Sequence, residues 1–151
     1  MTLIQTLKIK LLTPTAKIPT QAHKGDIYDV YADEDKLITD IPTLVSTGIS
    51  LQIPEGFHVK IYNRSSNPLK FGLILSNSVG IVDSLYTGEI KGIFHCQPHI
   101  ENEQRTTEHM IKKGDKIMQI EVCPVYEINF EKVEELAETE RGSKGFGSSG
   151  K

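Results

Sequence analysis

Apolar and polar residues alternate with period two over most of this chain, so the pattern predicts strands, half-buried and joined by turns. Lys8 to Leu11 alternates within an opening segment from Leu3 to Leu12, and Thr13-Pro14 ends it. Ile27 to Ala32, Leu44 to Ile53, Phe57 to Tyr62, Ile93 to Cys96 and Lys116 to Val125 repeat the pattern, with Pro54-Glu55-Gly56 and Lys113-Gly114-Asp115 as tight turns. Residues 15 to 25 read as a connection, Asp33-Glu34-Asp35 as a solvated like-charge turn, and 101 to 109 as a surface loop. Glu127 to Glu140 fits two templates. Tyr126, Ile128 and Phe130 alternate as a strand, whereas Val133, Leu136 and Ala137 share a short helical face; strand comes first, with any helix short.

A length of 151 residues suits one domain that buries its core without staples. Net charge of -3 argues against a nucleic-acid binder, since duplex affinity rests on a basic face. No stretch approaches the ~20 apolar residues of a membrane helix, and the start lacks signal-peptide character, so the expected location is cytoplasmic with no membrane partner. Cys96 and Cys123 form no Cys-x-x-Cys pair and read as buried thiols. His23, His58, His95, His99 and His109 show no metal-ligand spacing, so any metal is expected to arrive with a substrate.

Against this β background a few polar residues call for chemistry. Asp83 interrupts the apolar run of Asn77 to Ile90, between Gly80 and Gly88, where nothing structural asks for a charge. Alone, Asp83-Ser84 reads more readily as a surface turn. Asp29 shares its strand face with large apolar neighbours and needs a partner. Arg64-Ser65-Ser66 on a turn outlines an anion site of guanidinium fork, hydroxyls and backbone amides. Gln119 is an amide inside an otherwise buried-looking strand. The end, Arg141 to Lys151, sets Phe146 among glycines and serines, a composition suited to a lid that stacks on a base and wraps phosphates; it lacks the setting of a Walker loop.

Taken in order, Tyr28-Asp29-Val30-Tyr31-Ala32, Arg64-Ser65-Ser66, Gly80-Ile81-Val82-Asp83 with Tyr86 and Gly88-Glu89-Ile90, Gly114-Asp115-Lys116-Ile117-Met118-Gln119, and Arg141-Gly142 with Gly145 to Gly150 resemble the five motifs of the trimeric dUTPase family. The resemblance spans nearly the whole chain. It implies an all-β, jelly-roll-like β-barrel (a β-clip) over residues 1–140, and a flexible arm, 141–151, closing a neighbouring site in a homotrimer. It further implies hydrolysis of dUTP to dUMP and pyrophosphate, with Mg2+ bound mainly through the triphosphate. Asp83 is then the catalytic carboxylate that activates water. Asn77, Gly80, Val82, Tyr86 and Phe146 receive uracil and deoxyribose; Arg64, Ser65, Ser66, Gln119, Arg141, Gly147, Ser148 and Ser149 bind phosphates. Asp29 contacts the metal only through water or braces its neighbours.

Several positions depart from the family pattern. Asp26 and Ile27 stand where a small pair usually precedes Tyr-Asp, Leu85 replaces an acid before the tyrosine, Lys144 replaces a glycine, and Lys116 and Met118 replace the more frequent Arg and Ala. Two rival readings accompany the first: a dCTP deaminase-like enzyme, for which Glu89 is the one further acid of the segment, and a dUTP-gated regulatory protein that recruits a protein partner.

Overall fold

The computed structural model describes residues 6–145. Its elements in chain order are β1 (Lys8–Leu11), β2 (Tyr28–Tyr31), β3 (Lys36–Ile38), β4 (Thr43–Gln52), β5 (Phe57–Asn63), α1 (Ser66–Phe71), β6 (Leu73–Leu75), β7 (Val79–Val82), β8 (Glu89–Cys96), β9 (His99–Glu101), β10 (Gln104–Thr106), β11 (His109–Ile111) and β12 (Lys116–Pro124). Two four-stranded antiparallel sheets carry the fold, ordered β1-β4-β8-β6 and β2-β12-β5-β7, with the small ladders β9-β10 and β3-β11 beside them. This is the mostly β chain expected from the alternation, in the jelly-roll-like form that the resemblance implies. Inward residues of both sheets form one core: Val45, Ile49 and Phe94 from the first meet Val59, Met118 and Val30 from the second, all at most 1% exposed.

β7 pairs with β5, whereas β8 pairs with β4 and β6, so the segment between β7 and β8 crosses from one sheet to the other. Its landing on β8 is fixed by an irregularity of β4, where register shifts between Ser46 and Ser50. There Thr47 is buried and its hydroxyl donates to the Ile90 carbonyl at 2.5 Å, the Gly48 amide donates to Glu89 Oε1 at 2.9 Å, and Ser50 Oγ donates to the Thr87 carbonyl. Polar groups that the ladder leaves unpaired thus bind the end of the crossing segment.

Gly48 has φ +67°, and a Cβ there would lie 2.6 Å from Asp33 Oδ2 and 2.8 Å from the Ala16 Cβ. That contact corrects the reading of Asp33-Glu34-Asp35 as a solvated turn. Asp33 is 9% exposed and accepts from the hydroxyls of Thr13 and, at 2.7 Å, Thr15; Glu34 accepts from the Ser46 amide at 2.8 Å, and Asp35 from the Lys113 amide at 2.8 Å. The cluster clasps the β1–β2 connection to β4 and to the turn before β12.

Three further expectations are corrected. The Arg64-Ser65-Ser66 turn opens α1, which tolerates Pro68 because amides of a first turn lack helical partners anyway. The loop over 101–109 is the β9-β10 hairpin followed by β11. After the Val125 amide bonds to the Gly56 carbonyl at 2.8 Å, residues 126–145 form neither strand nor helix; Tyr126, Ile128, Phe130 and Leu136 are exposed. Of the thiols, Cys96 is buried and Cys123 half-buried. No helix among the described residues is long and apolar enough to cross a membrane.

Candidate active site

Antiparallel pairing brings Asp29 of β2 opposite Gln119 of β12, while Arg64 leaves the adjacent end of β5, where Met118 faces Asn63. Asp29 is 4% exposed and has both oxygens engaged: Oδ1 receives Arg64 Nε at 3.2 Å and Gln119 Nε2 at 3.1 Å, and Oδ2 receives Lys116 Nζ at 2.9 Å. Burial pushes its carboxyl up, but the bond from Lys116 and the Arg64 charge outweigh that and hold it below the ordinary carboxylate range. The bond to Asp29 in turn raises the Lys116 ammonium. Arg64 also donates Nη1 to the Lys116 carbonyl at 3.0 Å, so its guanidinium is fixed at two points.

The turn carrying Arg64 is itself fastened by asparagines that sequence reasoning passed over. Asn67 is 2% exposed and donates through Nδ2 to Asn63 Oδ1 and to the Ile117 carbonyl, both at 2.7 Å. Asn63 Oδ1 also accepts from the Arg64 amide at 3.0 Å, and its Nδ2 donates to the Leu73 carbonyl at 2.9 Å. A paired Asn-x-x-x-Asn around Arg-Ser-Ser was the available signal. Ser65 is exposed and its hydroxyl makes no capping bond to α1, and Ser66 is half-buried beside it. Lys116, noted from sequence only as a departure, is the second cation of this group, beside Arg64.

Asp83 follows the last residue of β7 and is exposed, with the Tyr86 amide donating to its carbonyl at 3.1 Å. Tyr86 Oη donates to the Glu89 carbonyl at 2.9 Å, which holds the ring against Gly88, where a Cβ would lie 2.6 Å from that hydroxyl oxygen. At the start of the segment Asn77 is exposed in the β6–β7 turn, and its carbonyl accepts from the Val79 amide at 2.6 Å. Gly80 and Val82 are buried and pair with Ile61 and Val59.

Val82 faces Val59 near the start of β5, whereas Arg64 leaves its end. The intervening strand measures roughly 16 Å at ~3.3 Å per residue. Within one chain, therefore, the sheet gathers Asp29, Arg64, Lys116 and Gln119 at one end and Asp83 with Tyr86 at the other. Arg141 lies apart from both, its Nε donating to the Lys144 carbonyl at 3.1 Å. Phe146, Gly147, Ser148 and Ser149 lie outside the described residues.

Among the described residues one trio has ligand atoms close enough to share a metal: His99, Glu101 and His109. It contains neither Asp29 nor Asp83, and the sequence hid it because His109 comes from β11 while His99 and Glu101 belong to β9.

Fold and site together define a two-sheet β protein with an acid-braced cationic cluster at one sheet end and an isolated carboxylate at the other. Comparison narrows this class. The dUTPase family model matches residues 14–150. Deoxyuridine 5'-triphosphate nucleotidohydrolase of Clostridium tetani is 41% identical over 148 residues, covering 97% of each chain, and that of Clostridioides difficile 40% over 146 residues, covering 95% of this chain and 97% of its own. The solved Staphylococcus bacteriophage 80alpha dUTPase G164S mutant with dUpNHpp superposes with a TM-score of 0.82 at 28% identity, covering 97% of this chain and 99% of its own. The chain belongs to the dUTPase family.

Proposed function

We propose that the chain hydrolyses dUTP to dUMP and pyrophosphate, in a site shared among the copies of a homotrimer, with residues up to 140 as the body and 141–151 as the closing arm. The observation that carries this reading is the Asp29-braced cluster of Arg64, Lys116 and Gln119, set a strand's length from Asp83 in a chain whose relatives are named for that hydrolysis. A phosphate gripped by Arg64 of one chain is out of reach of that chain's own Asp83, so a second copy supplies the acid. The uncovered Tyr126, Ile128, Phe130 and Leu136 add support, since apolar residues in such number call for a neighbouring surface.

In this mechanism Asp83 accepts a proton from the attacking water, whose oxygen bonds to the α-phosphorus in line as the bond to the pyrophosphate oxygen breaks. Arg64, with its orientation fixed by Asp29, offers its free N–H groups to the charge migrating onto pyrophosphate; Ser65, Ser66 and Gln119 orient phosphate oxygens, and Arg141, Gly147, Ser148 and Ser149 of the arm complete the enclosure. Asn77 and the backbone around Gly80 and Val82 match the O4 acceptor and N3–H donor of uracil, a pattern cytosine inverts. Tyr86 packs under the sugar and excludes a 2′-hydroxyl, while Phe146 stacks on the base.

Mg2+ fits as a passenger on the triphosphate. Both Asp29 oxygens are taken by protein donors, so this residue meets a metal only through water and acts chiefly as a brace. When bound, the ion neutralises phosphate charge and fixes the chain of phosphates in one conformation.

A second reading, a dUTP-gated regulator, has one observation behind it: the phage 80alpha dUTPase is described as controlling transfer of virulence genes by a G protein-like mechanism. For this chain the corresponding test is a pull-down with and without a non-hydrolysable dUTP analogue. The decisive experiment for the enzymatic reading is pyrophosphate release from dUTP, dCTP, dTTP and UTP, with and without Mg2+. Selective, Mg2+-dependent release from dUTP supports it; ammonia release from dCTP, or no turnover of dUTP, overturns it.

A further inference from the structure

We propose that His99, Glu101 and His109 form a second metal site, built within one chain and suited to a borderline divalent transition metal ion of the Zn2+ class. His99 and Glu101 stand two positions apart on β9 and so share a face, while His109 opens β11. Glu101 Oε2 lies 3.3 Å from His99 Nε2 and 3.3 Å from His109 Nδ1, and all three atoms lie within 4.8 Å of one another. A tetrahedral ion with bonds of ~2.0–2.1 Å separates its ligand atoms by about 3.3–3.4 Å, so the two edges that meet at Glu101 Oε2 match such a site.

The surroundings fix the ligand atoms as metal sites require. His99 Nδ1 is 3.2 Å from the Gln97 carbonyl, which can only accept. That contact places the proton on Nδ1 and leaves the Nε2 lone pair aimed at Glu101, the arrangement by which a backbone carbonyl orients a ligating imidazole. Gly72, at φ +62°, makes room for this ring, since a Cβ there would lie 2.6 Å from His99 Nδ1. The His109 ring stacks on Phe71 with centroids 4.6 Å apart. Cys96 Sγ sits 3.6 Å from His99 Nδ1, the ring nitrogen opposite the one that faces Glu101, so it stays outside the ligand set.

Two imidazole lone pairs and a carboxylate pointing at one volume repel one another unless a cation stands between them. The cation is either a metal or protons on the rings. Two imidazoles with one carboxylate favour Zn2+, Co2+ or Ni2+ over Mg2+, which prefers oxygen. The side chains of His99 and His109 are 6% and 11% exposed, whereas Glu101 is 35% exposed and provides the route of entry and the open fourth position.

The consequence is mechanical. Among the described residues β9 pairs only with β10 and β11 only with β3, so no ladder there joins the two small sheets. One ion would tie them together, and His109 lines the same cavity as Arg64 and Lys116, whose wall it would stiffen.

The test uses the full chain, stripped with chelator and returned to buffer with excess Mg2+. Co2+ titration should give one ion per chain with the visible d–d absorption of a low-coordinate nitrogen site, displaced by Zn2+, and Zn2+ should raise the Tm. H99Q and H109Q should each weaken Zn2+ binding by about tenfold or more and abolish the Tm rise, and Mg2+-dependent dUTP hydrolysis should persist in H99Q, whose side chain does not line the Arg64 cavity. E101Q, which keeps a hydrogen-bonding side chain, covers the case in which a histidine variant fails to fold. Absence of the Co2+ spectrum from the parent chain, or variants that bind Zn2+ as the parent does, would overturn the proposal and leave a proton-bridged His-Glu-His triad.

Discussion

Asp29 holds Arg64 by the Nε edge of its guanidinium, at 3.2 Å, leaving N–H groups of the fork for an incoming anion. Arg64 Nη1 meets the Lys116 carbonyl, so brace and strand together set one orientation. In Asp29→Asn an acceptor remains but the charge that gathers Arg64 and Lys116 is gone. A charge-assisted hydrogen bond contributes about 1.5–3 kcal/mol, so kcat/KM for dUTP should fall by roughly 10–100-fold. Steady-state kinetics with the variant check this, and parent-like values would remove Asp29 from the positioning role.

Asp83 accepts no side-chain bond among those of the described residues and stands exposed, so its substitution disturbs little of the fold. Asp83→Asn should bind a non-hydrolysable dUTP analogue close to normally while turnover falls by ~10²–10⁴-fold. Calorimetry alongside single-turnover hydrolysis separates the two effects. Hydrolysis near the parent rate would rule this carboxylate out as the base.

The Tyr86 hydroxyl is anchored to the Glu89 carbonyl, so the ring has a fixed place from which to reject a 2′-hydroxyl. Tyr86→Ala should hydrolyse UTP measurably, and Tyr86→Phe should discriminate better than the alanine variant. Relative kcat/KM for UTP and dUTP gives the answer; undiminished rejection of UTP by the alanine variant would mean another group guards the sugar.

Beyond Val125 the described chain adds no strand to either sheet, and the Arg141 side chain bonds to the Lys144 carbonyl of its own segment. Removal of residues 141–151 should therefore leave the urea midpoint nearly unchanged and depress turnover strongly. Equal losses of stability and activity would contradict the division into body and arm.

Asp33 gives the fold an acid-sensitive clasp. Burial pushes its carboxyl up, but the Thr13 and Thr15 hydroxyls and the Lys113 charge outweigh it, so the folded value lies below the unfolded one. Stabilisation from this group is then complete above the unfolded value of ~3.9 and is lost as pH falls through the lower folded value. Urea unfolding between pH 2 and 5 should show a steeper loss for the parent than for Asp33→Asn, which should be weaker by about 1–3 kcal/mol at pH 7. Parallel pH profiles would show that Asp33 titrates alike in both states.

What the sequence disclosed follows from the range of each interaction. Alternation is local, so β4, β5, β12 and the second half of β8, from Ile93, could be read directly. The family motifs located Asp29, Arg64, Asp83 and Gln119, each of which falls where a strand ends or pairs with another. Asp33 was misread because its hydroxyl partners lie far back along the chain, and three adjacent acids resemble a solvated turn until those partners are placed. The His99, Glu101 and His109 grouping was missed for the same reason, its members meeting only when β9 and β11 dock. Tyr126, Ile128 and Phe130 alternate as strand residues do, yet find no strand to pair with among the described residues; period two records a tendency to be covered, not by what.

The crossing segment between β7 and β8 is tied to one sheet at Val82 and to the other at Glu89, through Thr47, Gly48 and Ser50 of β4. Asp83 is thus carried on a strap between two plates, and its aim depends on how those plates are stacked. A volume change deep in the core, at Phe94 or Val59, would slide one plate against the other and register as altered turnover without touching the nucleotide.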